Sequence, residues 1–313
     1  MKAIASSELS VEAMESLNLD IKVPFGGPIH VLLATENETC DFAGFELLVT
    51  EGSDTATSLD LLVESNGKGG ATVEVSGTAP DTGATLKAMI PEKFSIAVAS
   101  GGGNVSVARI EGKVSINTEG GDISMDKVSE GPATLESGGG NVEARVLNCD
   151  ADIKTLGGAF KSKRMQGLDF LVKTGDGDID VAAMYATTIK VETEAGAISI
   201  GSLHAETDLT SVSGNVSVKT GADGDLSINT STGDVDVQLG MAIRRMESHT
   251  AQGNINISAP SKFAANPITL HGKDGVNIDG MFKKSVEYDG HTATGRIGDV
   301  AGDGSAAGGG NRG

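Results

Sequence analysis

A glycine followed by Asn, Asp or Ala and then an apolar residue recurs along this chain at near-constant spacing, and few folds satisfy that constraint. The glycines are Gly103, Gly121, Gly140, Gly158, Gly177, Gly196, Gly214, Gly233 and Gly253, at intervals of 18, 19, 18, 19, 19, 18, 19 and 20 residues. A looser copy falls at Asp274–Gly275. Two residues after each glycine stands Val105, Ile123, Val142, Phe160, Ile179, Ile198, Val216, Val235 or Ile255, and the apolar alternation continues two residues on. A period of two marks a strand with one buried face. Three residues before each glycine is a hydroxyl: Ser100, Thr118, Ser137, Thr155, Thr174, Thr193, Ser211, Thr230, Thr250. Seven residues after it the early copies place a further apolar side chain, from Ile110 to Leu203.

Each copy therefore reads as strand, Gly turn, strand and apolar corner. A unit this short has no room for a parallel crossover through a helix, and nothing in it has helical period. The predicted fold is all-β: a single-stranded parallel β-helix, or β-solenoid, of about ten coils of 18–20 residues, with an N-terminal antiparallel β-cap. In such a stack equivalent residues align into ladders about 4.8 Å apart. The ladder glycines are expected to hold backbone angles that a Cβ would penalise. The hydroxyls are expected to bond to the turn backbone or from coil to coil. The residue after the glycine never places two aspartates in adjacent coils, as repulsion along a ladder requires.

Composition fits this picture and narrows function. Only 3% of the 313 residues are aromatic and Trp is absent, yet 38% are apolar, so the core is built from Val, Ile, Leu, Ala and Met. A net charge of −19 opposes nucleic acid, whose binding draws on cations that displace counterions from phosphate. No apolar run approaches the ~18–20 residues of a membrane-crossing helix, so no membrane insertion is expected. Two cysteines, Cys40 and Cys149, make no disulfide framework and suit a reducing interior.

The predicted organisation has a flexible N-terminus at 1–20, a β-cap at 21–93, solenoid repeats at 94–280, a closing hairpin at 281–300 and a disordered Gly-rich tail at 301–313. Several stretches also carry a resemblance: Val23–Pro24–Phe25–Gly26, Gly201–Ser202–Leu203–His204, Glu247–Ser248–His249 followed by Gly253–Asn254–Ile255, and Thr294–Gly295. With the repeat they resemble the putative-adhesin family of β-solenoids, a family of unknown function, over roughly 21–297. The likeness is to its eukaryotic, mitochondrial branch in particular. That resemblance implies a β-solenoid and a mitochondrial location; cytoplasm is the alternative, since Met1–Asp20 shows no transit-peptide pattern. It carries over no catalytic residue.

Chemistry has few places to reside. Asp176, Asp178 and Asp180 form an acidic cluster that could serve as an acid pair on a glycan, as paired carboxylates do in glycosidases. The plainer reading is a solvated turn in an acidic protein. Calcium fits poorly, because there is one Gly turn per coil and the Asx column is diluted by Asn and Ala. His249 and His271, 22 residues apart, could stack on adjacent coils but lack a third metal ligand. Arg244–Arg245 reads as solvated charge or a partner contact. No cofactor is expected. The expected role is non-enzymatic, a protein-binding scaffold or interaction module. A glycan-binding or glycan-processing β-helix using the cluster around Asp178 is the alternative.

Overall fold

The structure, a computed structural model, describes residues 2–10, 17–23, 29–36, 42–49, 58–65, 70–78, 83–259, 266–278 and 286–297. Among these there are strands and turns but no helix. The expected tail at 301–313 lies outside the described residues.

The N-terminal strands are β1 (Lys2–Ser10), β2 (Leu17–Val23), β3 (Ile29–Glu36), β4 (Phe42–Val49), β5 (Ser58–Ser65), β6 (Gly70–Thr78), β7 (Ala84–Pro91) and β8 (Phe94–Ser100). The repeats supply β9 (Val105–Thr118), β10 (Ile123–Ser137), β11 (Val142–Asn148), β12 (Ala151–Thr155), β13 (Phe160–Gln166), β14 (Asp169–Thr174), β15 (Ile179–Thr193), β16 (Ile198–Ser211), β17 (Val216–Thr232), β18 (Val235–Gln252), β19 (Asn254–Ser258), β20 (Asn266–Gly272) and β21 (Gly275–Ile278). The chain ends its described course in β22 (Val286–Tyr288) and β23 (Thr292–Ile297).

The repeats form a parallel β-solenoid in the register that their spacing requires. Val105, Ile123, Val142, Phe160, Ile179, Ile198, Val216, Val235, Ile255 and Val276 are paired one above the next. All ten are buried. A second inward column runs Ile110, Val128, Leu147, Met165, Met184, Leu203, Ala222, and a third runs Val98, Ile116, Leu135, Ile153, Val172, Val191, Leu209, Ile228. The interior is a continuous apolar core of stacked aliphatic side chains. Phe160 is the one aromatic ring in the first column, buried where its neighbours are aliphatic.

The ladder glycines are fixed by close stacking, and this corrects the expectation from backbone angle. A Cβ built on Gly121 would sit 2.2 Å from the Gly103 carbonyl oxygen, and one on Gly158 2.0 Å from that of Gly140. The same collision repeats at Gly177, Gly196, Gly214 and Gly233, at 1.9–2.2 Å. Left-handed angles belong chiefly to the preceding glycines, Gly102, Gly120 and Gly139, where a side chain would meet open space. Within the ladder only Gly253 combines both constraints.

The hydroxyl column bonds in both expected ways, in separate halves of the stack. Ser100, Thr118, Thr155 and Thr174 donate to the carbonyl of their own turn's glycine at 2.5–2.9 Å. From Thr193 onward the hydroxyl turns to the coil before it: Thr193 to Gly175, Thr230 to Gly214 and Thr250 to Gly233, at 3.0–3.3 Å. The hydroxyls of this column therefore keep a partner in both halves, as burial demands.

The N-terminal part departs from the sequence reading. Residues 1–20, expected to be flexible, contain β1 and the start of β2, and β1 pairs antiparallel with β4. The segment expected as an antiparallel cap is mixed. β2 lies between β6 and β8, and β3 between β7 and β9, all in parallel. Thus β6–β7 and β2–β3 are themselves solenoid coils, stacked out of chain order, with β2–β3 inserted between β6–β7 and β8–β9. Antiparallel pairing is confined to the strands that cover them: β1 on β4, β4 on β7, and β5 on β6. These coils escape the repeat pattern because their strands are joined by longer connections than the Gly turn. At the other end β23 pairs antiparallel with both β20 and β22. The Asp289 carboxylate accepts the His291 and Thr292 backbone N–H groups there, at 2.8 and 2.6 Å, which hold it below the usual carboxylate range.

Candidate functional site

The Gly turns present the Asx column, and its carboxylates and amides are engaged with the backbone. The side-chain Oδ1 of Asn104 accepts the Asp122 N–H, that of Asp122 the Asn141 N–H, and that of Asn141 the Ala159 N–H, at 2.7–2.9 Å. Asp178 does the same for Ala197 at 2.8 Å, Asn215 for Asp234, and Asp234 for Asn254. Each side chain ties its turn to the next coil. This explains why Asn and Asp interchange in the column while Ala interrupts it: the acceptor oxygen is what counts, not the charge.

Asp176, Asp178 and Asp180 are exposed and follow one another along the chain at this turn, but they take separate roles. Asp178 caps Ala197, and Asp180 stands in the outward column beside Lys161 and Ser199. No group of three His, Cys, Asp or Glu side chains among the described residues is placed to hold a metal ion. The rings of His249 and His271 do lie on neighbouring coils, 6.3 Å apart and tilted by 59°. Arg244 pairs with Asp225 at 3.1 Å and Arg245 with Glu247, so the arginine pair is tied to its own surface. Cys149 is half-buried, and burial beside the Asp150 charge pushes its thiol up to about 11, away from nucleophilic use. Cys40 lies outside the described residues.

Sequence reasoning missed an outward ladder at the corner, where Gln166, Tyr185, His204 and Asp223 are in register. Tyr185 stacks on His204 with centroids 4.9 Å apart and planes 5° apart, and Arg164 lies over the tyrosine ring at 5.8 Å. Nδ1 of His204 contacts Asp223 at 2.9 Å, while the other carboxylate oxygen of Asp223 accepts the Ala242 N–H at 2.7 Å. Tyr185 is 38% exposed, but with His204 stacked on it and Arg164 over its ring a sugar would have to compete with both for the ring faces. The 19-residue offset between Tyr185 and His204 was visible in the sequence, but outward positions carry no recurring type to flag them.

Another surface feature lies along the second strand of the coils. A shallow groove of about 610 Å³ is lined by Lys154, Leu156, Lys173, Glu192, Glu194 and Val212, among others. Its floor belongs to the hydroxyl column, and its edge carries Leu156 and Val212, which are 76% and 53% exposed. Lys173 and Lys190 both pair with Glu192 at 2.7 Å, which holds that carboxylate below its usual range.

Two inward hydroxyls among the described residues, those of Thr207 and Ser248, are under-satisfied. Thr207 stands in an apolar column between Ile189 and Leu226, buried, with no hydrogen-bond partner for its hydroxyl among the described residues. An unpaired buried hydroxyl costs about 1–3 kcal/mol. Thr207→Val, which keeps the shape and removes the hydroxyl, should raise stability by about 1 kcal/mol and the Tm by a few degrees. Thermal unfolding followed by circular dichroism checks this.

The fold and the repeat geometry define a class of protein, the parallel β-solenoid built from Gly-cornered coils. The family model described as Toastrack DUF4097 matches residues 85–280, and the chain belongs to that family. No protein of curated function matches the chain. Among solved structures it is similar to a putative adhesin from Parabacteroides distasonis, at 14% identity and TM-score 0.43, covering 88% of this chain and 96% of that one. A putative adhesin from Parabacteroides merdae is 13% identical with TM-score 0.37, covering 88% and 95%. A putative cell adhesion protein from Clostridium sporogenes is 13% identical with TM-score 0.25, covering 64% and 100%. No helix among the described residues is long and apolar enough to cross a membrane.

Proposed function

We propose that this chain is a non-enzymatic interaction module that binds a protein partner along its solenoid faces. The observation that supports this reading is where the recurring polar residues go. The hydroxyl column bonds to turn carbonyls, and the Asx column caps the coil above, Asp178 included. What remains outward is flat, mixed in charge, and bears exposed Leu156 and Val212 beside the groove, a surface suited to contact rather than to chemistry. The glycan alternative draws less support, because Asp178 is engaged and Tyr185 is sandwiched.

The test is affinity capture from cytosolic and mitochondrial fractions with the natural chain and a Leu156→Asp/Val212→Asp variant as baits. The expected outcome is a stoichiometric protein partner held by the natural chain and lost by the variant, both baits being equally folded. Saturable glycan binding that disappears in Asp178→Asn would overturn the reading. The same fractions assign the compartment, for which a mitochondrial location is proposed from the family resemblance alone.

A further inference from the structure

On the face formed by the first strand of each coil, charge is segregated along the solenoid. The early coils carry Arg109, Lys127, Arg145, Lys161, Lys163 and Arg164 against two carboxylates, Asp126 and Glu143, a net basic cluster in a chain of net charge −19. Asp126 sits between Arg109 and Arg145, 3.8 Å from the first and in contact with the second. Lys127, Lys161 and Lys163 have no ion-pair partner among the described residues, so positive charge is left over. The later coils of the same face carry exposed Asp180 and Asp236, without ion-pair partners among the described residues, and one cation, Lys219.

We infer that this face docks a second copy of the chain, the two solenoids lying face to face and antiparallel about a two-fold axis along the strands, between the Lys161 and Asp180 coils. Such an interface is self-complementary by symmetry. The outward column reads Ser106, Ser124, Glu143, Lys161, Asp180, Ser199, Ser217, Asp236 in register from coil to coil. Reversing it places Lys161 of each copy opposite Asp180 of the other, and Glu143 opposite Ser199. Two residues further along the strands, Asp126 meets Lys219 of the second copy, while Arg145 and Lys163 meet Gly201 and Ala182. Long cations thus face small side chains, and no like charges oppose one another in either column. With coils about 4.8 Å apart and about six residues of face at 3.3 Å each, the eight coils offer roughly 700 Å² per copy, close to the ~800 Å² of a standard interface.

This inference deepens the interaction-module reading and rests on it in taking a solenoid face as a contact surface. Sedimentation of the pure full chain at low salt should show a dimer that dissociates as salt is raised. Lys161→Asp and Asp180→Lys should each weaken the dimer at least about 100-fold, because symmetry doubles each like-charge contact. The double exchange should return it to near the natural affinity. Circular dichroism of each variant shows whether the fold is kept. A natural chain that stays monomeric at all concentrations overturns the inference, as does a dimer indifferent to both reversals or one that the double exchange leaves broken. A monomer that still captures a stoichiometric protein partner overturns the dimer alone and leaves the module reading in place.

Discussion

Ile179→Asp should abolish cooperative folding at room temperature. Ile179 is fully buried in the first inward column, with Phe160 below it and Ile198 above. A carboxylate there has no cation or donor within the apolar stack, and leaving a buried charge or polar group unpaired costs several kcal/mol. That is a large share of a typical stability of 5–15 kcal/mol. Lys190 is the matched control on the outer surface, paired with Glu192 at 2.7 Å in solvent. Lys190→Ala should cost less than about 1 kcal/mol, the usual worth of an exposed ion pair. Urea unfolding of both variants separates them, and similar small losses would mean that the inward register is wrong.

Gly158→Ala and Gly157→Ala should differ by at least about 3 kcal/mol although the residues are neighbours, a gap reached only when backbone or core must move. A Cβ on Gly158 collides with the Gly140 carbonyl oxygen at 2.0 Å, an oxygen fixed by the coil below. Nothing lies within 4 Å of a Cβ on Gly157, and its backbone angle is not left-handed, so alanine there should be neutral or slightly stabilising. If the ladder glycine were needed only for its angle, Gly139→Ala, at φ +144° with open space around it, would be the costlier change. Stacking predicts the reverse order.

The repeated part of the fold was legible because a stacked coil imposes the same demand at each level. The inward columns, the hydroxyl column and the Asx column all recur for that reason, and the structure places them in one register. Two features were not legible. The reason for the glycine was misassigned, since sequence does not distinguish a residue needed for its angle from one needed for its missing Cβ. The order of coils near the N-terminus was also hidden: β2 and β3 alternate like strands of any cap, and only their pairing with β8 and β9 reveals an inserted coil. Folding of that coil requires non-local pairing between residues near 20 and residues near 97, a slow class of contact.

On the functional side, the acidic cluster was visible, whereas the hydrogen bond by which Asp178 holds the Ala197 N–H was not. Asp178 stood out as one of three carboxylates in five residues, yet its column position already matched Asn104, Asn141 and Asn215, residues that cannot act as acids. The outward ladder of Tyr185, His204 and Asp223 and the charge segregation along the first face carry no periodic type and emerge only once coils are stacked.

The most direct test of the claim that these patterned residues serve the coil stack is urea unfolding of Asp178→Asn beside Asp178→Ala. Asn, which keeps the acceptor for the Ala197 N–H, should stay within about 0.5 kcal/mol of the natural chain, while Ala should lose about 1 kcal/mol, the worth of one hydrogen bond. An alanine variant as stable as the natural chain would contradict that claim, for the Asp178 carboxylate would then be free of the backbone and available for chemistry.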